Sequence, residues 1–450
     1  MIEAVVVPEQ ILPPVEIDAG EPGRGPRRWW GGPLDVEGLA LASVGLAGAA
    51  VDTLVGRPGA LRASPPRIAA AFDSLGHLEI VGPPGSSGRG GAPGHLGGFA
   101  TLSGFFATAD GWIRTHANYP HHEQRLRQAL GVATADQVPD ALRRVGALEA
   151  ERLIDDAGGI AAAVRTRKQW LDSPMAAGPP PREWISFDVV PGPGSPWRPG
   201  DLPLAGLRVL DLTRVIAGPI ATRSLAALGA DVLRIDPPSS PELEDQHVDS
   251  GFGKRTAVLD LGADPDTLHD LLSRADVLVN GYRNGGLDRF GLDRERLRER
   301  YPSLIVVNLD AWGTAGPWAG RRGFDSIVQA ATGIADVYRQ RGGRPGALPV
   351  QALDHATGYG IVAATVGLAD ARRRHGVTGS AELSLVRAAD LLFRSRPPRV
   401  PVEPIPDPGL VTTASDYGEL RHVPSPFDLY GVPLAYPTPP HRYGSDAPRW

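Results

Sequence analysis

Cysteine is absent from the 450 residues, which excludes a disulfide framework, a thiolate metal site and a cysteine nucleophile. Lysine is almost absent: only Lys168 and Lys254 occur among 46 basic residues, so each retained lysine invites a local reason. There is no excess of positive charge either. The 46 Lys and Arg face 51 Asp and Glu, a net −5, which argues against nucleic acid or a membrane surface as a partner held by bulk electrostatics. The longest apolar stretch, Leu39 to Val51, is interrupted by Ser43 and reads as short for a bilayer span. Residues 1–30 lack a basic segment followed by an apolar one, so a cytoplasmic protein is the expectation. No P-loop, G-x-S-x-G elbow or H-E-x-x-H occurs.

What is present is ordinary globular material, 42% hydrophobic and 22% charged, for which two or three domains are the natural prior. The 56 glycines and 45 prolines predict long loops and mark four boundaries. Residues 1–33 read as an irregular arm. Residues 34–175 read as a smaller α+β segment, with helices over Leu39–Val51, Glu123–Leu130 and Leu148–Ala157. Within it, two apolar runs joined at Asp110-Gly111 predict a hairpin between Gly104 and His116, preceded by a Gly-rich loop over 85–98. Residues 176–203 read as a Pro/Gly linker and 396–450 as a Pro-rich tail wrapping the surface. Between them, 204–395 alternates short apolar strands with helices, the pattern of βαβ units around a parallel sheet. The expected class is therefore α/β, a Rossmann-like parallel-sheet large domain plus a smaller α+β domain. One echo crosses the two parts: Ala42-Ser-Val-Gly-Leu-Ala47 matches Ala364-Thr-Val-Gly-Leu-Ala369 except at Ser43 and Thr365. Chance in a Gly/Ala-rich chain is the favoured reading over duplication.

The first strand–helix turn reads Val209-Leu-Asp-Leu-Thr-Arg-Val-Ile-Ala-Gly-Pro-Ile220. It lacks G-x-G-x-x-G, and Pro219 removes an amide donor, which disfavours NAD in a Rossmann-like sheet. His116, His121 and His122 flank Pro120, which breaks ligand spacing, so surface or loop histidines are favoured over a metal site.

Several segments, in order, resemble the family III CoA-transferases, which include formyl-CoA transferase, carnitine CoA-transferase and the alpha-methylacyl-CoA racemase branch. They are Leu204 to Pro219, Leu228 to Pro238, Gly253-Lys-Arg-Thr-Ala-Val-Leu-Asp-Leu261, Tyr282 to Gly291, Trp312 to Pro317, Gly323-Phe-Asp-Ser-Ile-Val-Gln329 and Leu353-Asp-His-Ala-Thr-Gly358. The resemblance implies a reaction in which CoA passes from an acyl-CoA to a small carboxylic acid, with CoA as substrate and no tightly bound cofactor. It also implies a homodimer, with loop 85–98 over the reacting centre.

Carried over residue by residue, Asp354 stands at the nucleophile position. It precedes a helix expected to begin near Ala356, whose unpaired amides and positive dipole end would favour a carboxylate and a developing oxyanion. The plainer reading, a helix N-cap, loses to the nucleophile once the ordered motifs are counted. The resemblance places Lys254 and Arg255 on the CoA phosphates, Gly281 and Tyr282 near the adenine, and Arg289 with Phe290 as a basic–apolar pair. It places Val215 and Ile216 along the pantetheine, with Arg322 as a further basic contact. The family usually has Asn at Gly281 and Pro at Asn284, which weakens the adenine site. Phe324 stands where the racemase branch has a His base, which disfavours racemisation or isomerisation. The small-domain-like segment also comes first, as in a permuted chain or a decayed double copy. In such a copy Gly32 would stand at the position of Asp354. A catalytically silent acyl-CoA-binding protein is the rival from another class.

Overall fold

In a computed structural model, residues 11–12, 28–81, 98–176, 183–397 and 399–450 are described; most of the arm over 1–33, and loop 85–98 apart from Gly98, lie outside them. The centre is a seven-stranded sheet: β1 Ser186–Pro191, β2 Arg208–Leu212, β3 Asp231–Asp236, β4 Lys254–Val258, β5 Val277–Asn280, β6 Ile305–Asp310 and β7 Val377–Ser384. Their order across the sheet is β1-β7-β6-β5-β2-β3-β4. β2 to β7 are parallel, whereas β1 runs antiparallel to β7 with Phe187 opposite Ala381. Setting β1 aside, this is the 3-2-1-4-5-6 order of a doubly wound fold, and its switch point lies between β2 and β5. The class expected from the sequence is the class observed.

The strands read as apolar runs because both faces are covered. Val209, Val277, Val279 and Val307 point into one core cluster; Leu210, Leu212, Leu233 and Leu278 point into a second on the opposite face. On the first face lie four helices that position the site: α1 Val36–Val55, α2 Ala217–Ala227, α3 Asp325–Thr332 and α4 Ala352–His375. α4 is apolar nearly all round and buried from Ala352 to Arg372, as expected of a helix with no solvent face.

Several boundaries differ from the sequence reading. α4 begins at Ala352, four residues before the expected start, so Asp354 sits inside the first turn. α3 stops at Gly333, which takes φ 98°, and a short helix Ile334–Val337 follows it. The segment 176–203 contains β1 and so is part of the sheet. α1 packs against α4, which brings the Ala42–Ala47 and Ala364–Ala369 echo together. At 20 residues α1 is long and apolar enough to cross a membrane, contrary to the length argument above, but here most of it is buried in the core.

The small unit is narrower than expected. Residues 98–176 have their own core around Leu102, Ile113, Leu126, Leu142 and Ile154, with the expected hairpin pairing Phe106 opposite Ile113. Residues 36–81 instead join the large core. Leu61–Ala63 pairs with Phe427–Leu429, and Glu79–Val81 pairs with Glu419–Arg421. The tail is thus woven into the fold by strand pairing.

Candidate active site

Two cavities of about 520 and 510 Å3 open at the carboxyl end of the sheet, where β2, β5 and β6 finish in Leu212, Asn280 and Asp310. They meet at three shared residues, Val215, Phe324 and Asp354.

Asp354 is 93% buried by accessible area, its own exposure being 7%. Its carboxyl has no hydrogen-bond or ion-pair partner among the described residues. The cap of α4 is supplied from elsewhere: Asp325, at the start of α3, accepts from the amides of Leu353 and Asp354 through one oxygen, at 2.9 and 3.0 Å. Its other oxygen accepts from Gln329, whose own carbonyl accepts from the amide of Leu348. Asp354 is therefore not the N-cap. Equally, the first-turn amides expected to await an oxyanion are engaged by Asp325 and, for His355, by the carbonyl of Gln351. Burial raises both carboxyls. It brings Asp325 to about 6, and it carries Asp354 well above the ordinary range with the help of the Asp325 charge. One turn beyond Asp354, Gly358 lies so close to α2 that a Cβ there would be 2.7 Å from the carbonyl oxygen of Ala217. That contact sets the first turns of α4, and with them Asp354, against the start of α2, where no side chain caps the helix.

The turn before α2 is strained. Val215 adopts φ 70°, a left-handed conformation that β-branched residues avoid. Its amide donates to Glu242 at 2.9 Å, and Glu242 is buried among Arg234, Arg214 and the hydroxyl of Tyr119. Burial alone would raise Glu242, but the two guanidiniums hold it down at about 2. On the other side of the turn, Asp211 accepts from the amide and hydroxyl of Thr213, from Thr222 and from the ammonium of Lys254.

The first cavity carries Arg214, Arg283, Arg289, Arg321 and Arg322. Arg289 lies 4.6 Å above the ring of Phe290, and burial together with the nearby Arg283 and Arg125 lowers Arg322. Of the residues expected from the sequence, Asp354, Val215, Gly281, Tyr282, Arg289, Phe290 and Arg322 line this cavity, and Ile216 lines the second. Lys254 and Arg255 line neither. Lys254 is 2% exposed and is spent on Asp211 and the carbonyl of Pro219; Arg255 pairs with Asp231 and the carbonyl of Arg449. Phosphate contact by this pair is corrected accordingly.

His116 and His122 are buried, at 5% and 6% exposure, and so not at the surface; His116 does sit in a loop, after the hairpin, whereas His122 lies in the helix Pro120–Ala129. His116 stacks on Phe324 with ring centres 3.8 Å apart, and burial pushes both imidazoles down to about 3. Sequence reasoning missed Arg214, Arg283 and Glu242. Arg214 and Arg283 each adjoin a residue that was singled out, so adjacency was the available signal; Glu242 offered none.

Residues 204–396 match the family model described as CoA-transferase family III. Among curated relatives, an acetyl-coenzyme A transferase, nodX, of Hypoxylon pulicicidum is 41% identical over 32% of this chain and 25% of its own length. The probable fatty acyl-CoA transferase Rv3272 of Mycobacterium tuberculosis is 31% identical over 42% of this chain and 51% of its own. The succinate–glutarate CoA-transferase of Agrobacterium fabrum is 32% identical over 38% and 48%. The chain thus spans about half or less of these relatives' lengths. The matched residues 204–396 hold β2 to β7 of the doubly wound sheet and Asp354 at the meeting point of the two cavities, so the likeness to CoA-transferase family III lies in this part of the chain.

Proposed function

We propose that this chain transfers CoA from an acyl-CoA to a carboxylic acid through a covalent intermediate on Asp354. The observation that carries the reading is a buried, unpartnered carboxyl where an arginine-lined cavity meets a second cavity free of such arginines. The first cavity suits the phosphates of CoA, with Arg283, Arg289 and Arg322 as their partners. The relatives named above support the class and differ among themselves in the acyl group.

The steps balance as follows. The Asp354 carboxylate attacks the thioester carbonyl, and the CoA thiolate leaves a mixed anhydride. The thiolate attacks the aspartyl carbonyl of that anhydride, releasing the donor acid as a carboxylate and leaving CoA on Asp354 as a thioester. The acceptor carboxylate attacks this thioester, giving a second anhydride and thiolate. Attack of the thiolate on the acceptor's carbonyl then forms the new acyl-CoA and restores Asp354. The uncapped start of α2 presents the positive end of a helix dipole to the oxygen that gains charge. The elevated affinity of Asp354 for protons makes its carboxylate a stronger nucleophile than one in water. The homodimer implied by the resemblance belongs to this proposal, as does a cytoplasmic setting.

Asp354→Ala tests it. Transfer should fall by at least about three orders of magnitude, as loss of a covalent nucleophile does, while calorimetric titration with free CoA should give an affinity within about threefold of the parent. NAD serves as the silent control. Transfer retained by the variant would overturn the nucleophile. CoA binding by a parent protein that transfers no acyl-CoA's thiol would favour a binding protein.

A further inference from the structure

We infer that the second cavity receives the acyl chain, and that its substrates are neutral monocarboxylic acids with an apolar chain of several carbons, not dicarboxylic acids. This rests on the transferase reading and extends it to the class of acid.

The cavity measures about 510 Å3, within the range of small-molecule sites, and Asp354 stands at its border with the CoA cavity. An acyl group attached to Asp354 therefore projects into it once CoA occupies the other side. The space exceeds what a one- or two-carbon acyl group would fill. Phe72, Leu75, Ile220, Leu243 and Val350 give it an apolar wall.

Charge separates the two cavities. The first is lined by five arginines, whereas the described lining of the second holds no Arg or Lys and carries Asp245, Asp249 and Asp325 besides Asp354. The nearby described guanidiniums of Arg223 and Arg114 stand behind the wall and do not line it. Arg223 lies behind Asp249, pairing with its carboxylate at 3.1 Å and donating to its carbonyl, while Ser74 donates to the other carboxylate oxygen. Arg114 lies against the ring faces of Phe99 and Phe105, at 4.5 and 5.0 Å, behind the residue that lines the cavity. His116 and His355, both on the wall, are buried and neutral. Asp245 accepts from the amide of Gln246 and adds negative charge to the wall. A distal carboxylate on the acyl chain would be desolvated against like charge with no Arg or Lys presented to it by the described lining, a costly arrangement. A methyl-terminated chain meets no such penalty.

Succinyl-CoA and pentanoyl-CoA have acyl chains of similar length and differ in distal charge. Each would be mixed with the full chain, and the mass of the intact protein followed for the CoA thioester on Asp354. Pentanoyl-CoA should form the adduct at least tenfold faster at equal concentration. Asp245→Lys should raise the succinyl-to-pentanoyl ratio of rates at least fivefold, and the nearly isosteric Asp245→Asn should move it the same way by less. Labelling by succinyl-CoA as fast as or faster than by pentanoyl-CoA would overturn the inference, assign Arg114 as the distal partner, and leave the transferase reading intact, because Asp354 would still be labelled. Labelling by neither donor, with CoA binding retained, would remove the transferase reading and the inference with it.

Discussion

Asp325 controls how readily Asp354 ionises, because the two carboxyls share one buried site and burial and mutual repulsion raise both. A raised carboxyl is protonated, and so useless as a nucleophile, below its own pKa. The acid limb of the rate profile should therefore lie above the ordinary carboxylate range. Asp325→Asn keeps a carbonyl for the amides of Leu353 and Asp354 but removes the charge, so Asp354 should ionise at lower pH. The expected result is an acid limb of kcat/KM displaced downward by roughly a unit, the size of a typical charge–charge shift. A limb that stays in place while activity falls would show Asp325 to be a structural cap alone. At this scale the sequence could single out Asp354, which lines both cavities, because its motif is local. Lys254 was misread for a reason composition cannot reveal: its rarity did mark a special role, but that role is to neutralise the buried Asp211. Burial, together with loss of water around the ammonium, lowers Lys254 to about 8 against the pull of Asp211.

The turn from β2 into α2 shows how an element is held by residues far from it. Val215 keeps its left-handed backbone because Glu242, on a separate segment after β3, accepts its amide and is itself fixed by Arg234 at 3.0 Å. Removing one partner of a buried pair costs about 3–5 kcal/mol, so Glu242→Gln should destabilise by that order and lower the midpoint of thermal unfolding. The pH signature has a definite sign. Glu242 is held at about 2, below the usual value of 4.5, so its contribution is complete above pH 4.5 and fades as the pH falls toward 2. Melting midpoints measured by circular dichroism from pH 7 to 3 should thus fall less steeply below pH 4.5 in Glu242→Gln than in the parent. Equal slopes would mean the carboxylate holds nothing. The same non-locality explains the misplaced start of α4. Gln351, Ala352 and Leu353 carry no capping signal of their own, because the cap arrives from Asp325.

Across the whole molecule, the punctuation that divided the sequence does not divide the fold. Residues 204–396 contain β2 to β7, both ends of α4 and Asp354, yet one side of α4 is covered by α1. The ring of Phe72 stacks on Tyr359 at 5.9 Å and on His355 at 5.2 Å, and Phe427 meets Tyr359 edge-on. Leu61–Ala63 and Phe427–Leu429 then pair with each other across that helix's surroundings. These contacts join segments hundreds of residues apart, so no periodicity or turn signal could announce them. The parallel sheet was legible because each βαβ unit carries its pattern locally; the belt around it was not. A fragment of residues 204–396 would expose the face of α4 that α1 and Phe72 cover, an apolar patch large enough to drive association. It should therefore lack a cooperative melt and bind a hydrophobic dye, while the full chain melts cooperatively. A fragment melting cooperatively within a few degrees of the full chain would show the belt to be dispensable. The expected failure follows from α4 itself: a helix apolar on every side has no solvent face, so whatever covers its last side is part of the domain that contains it.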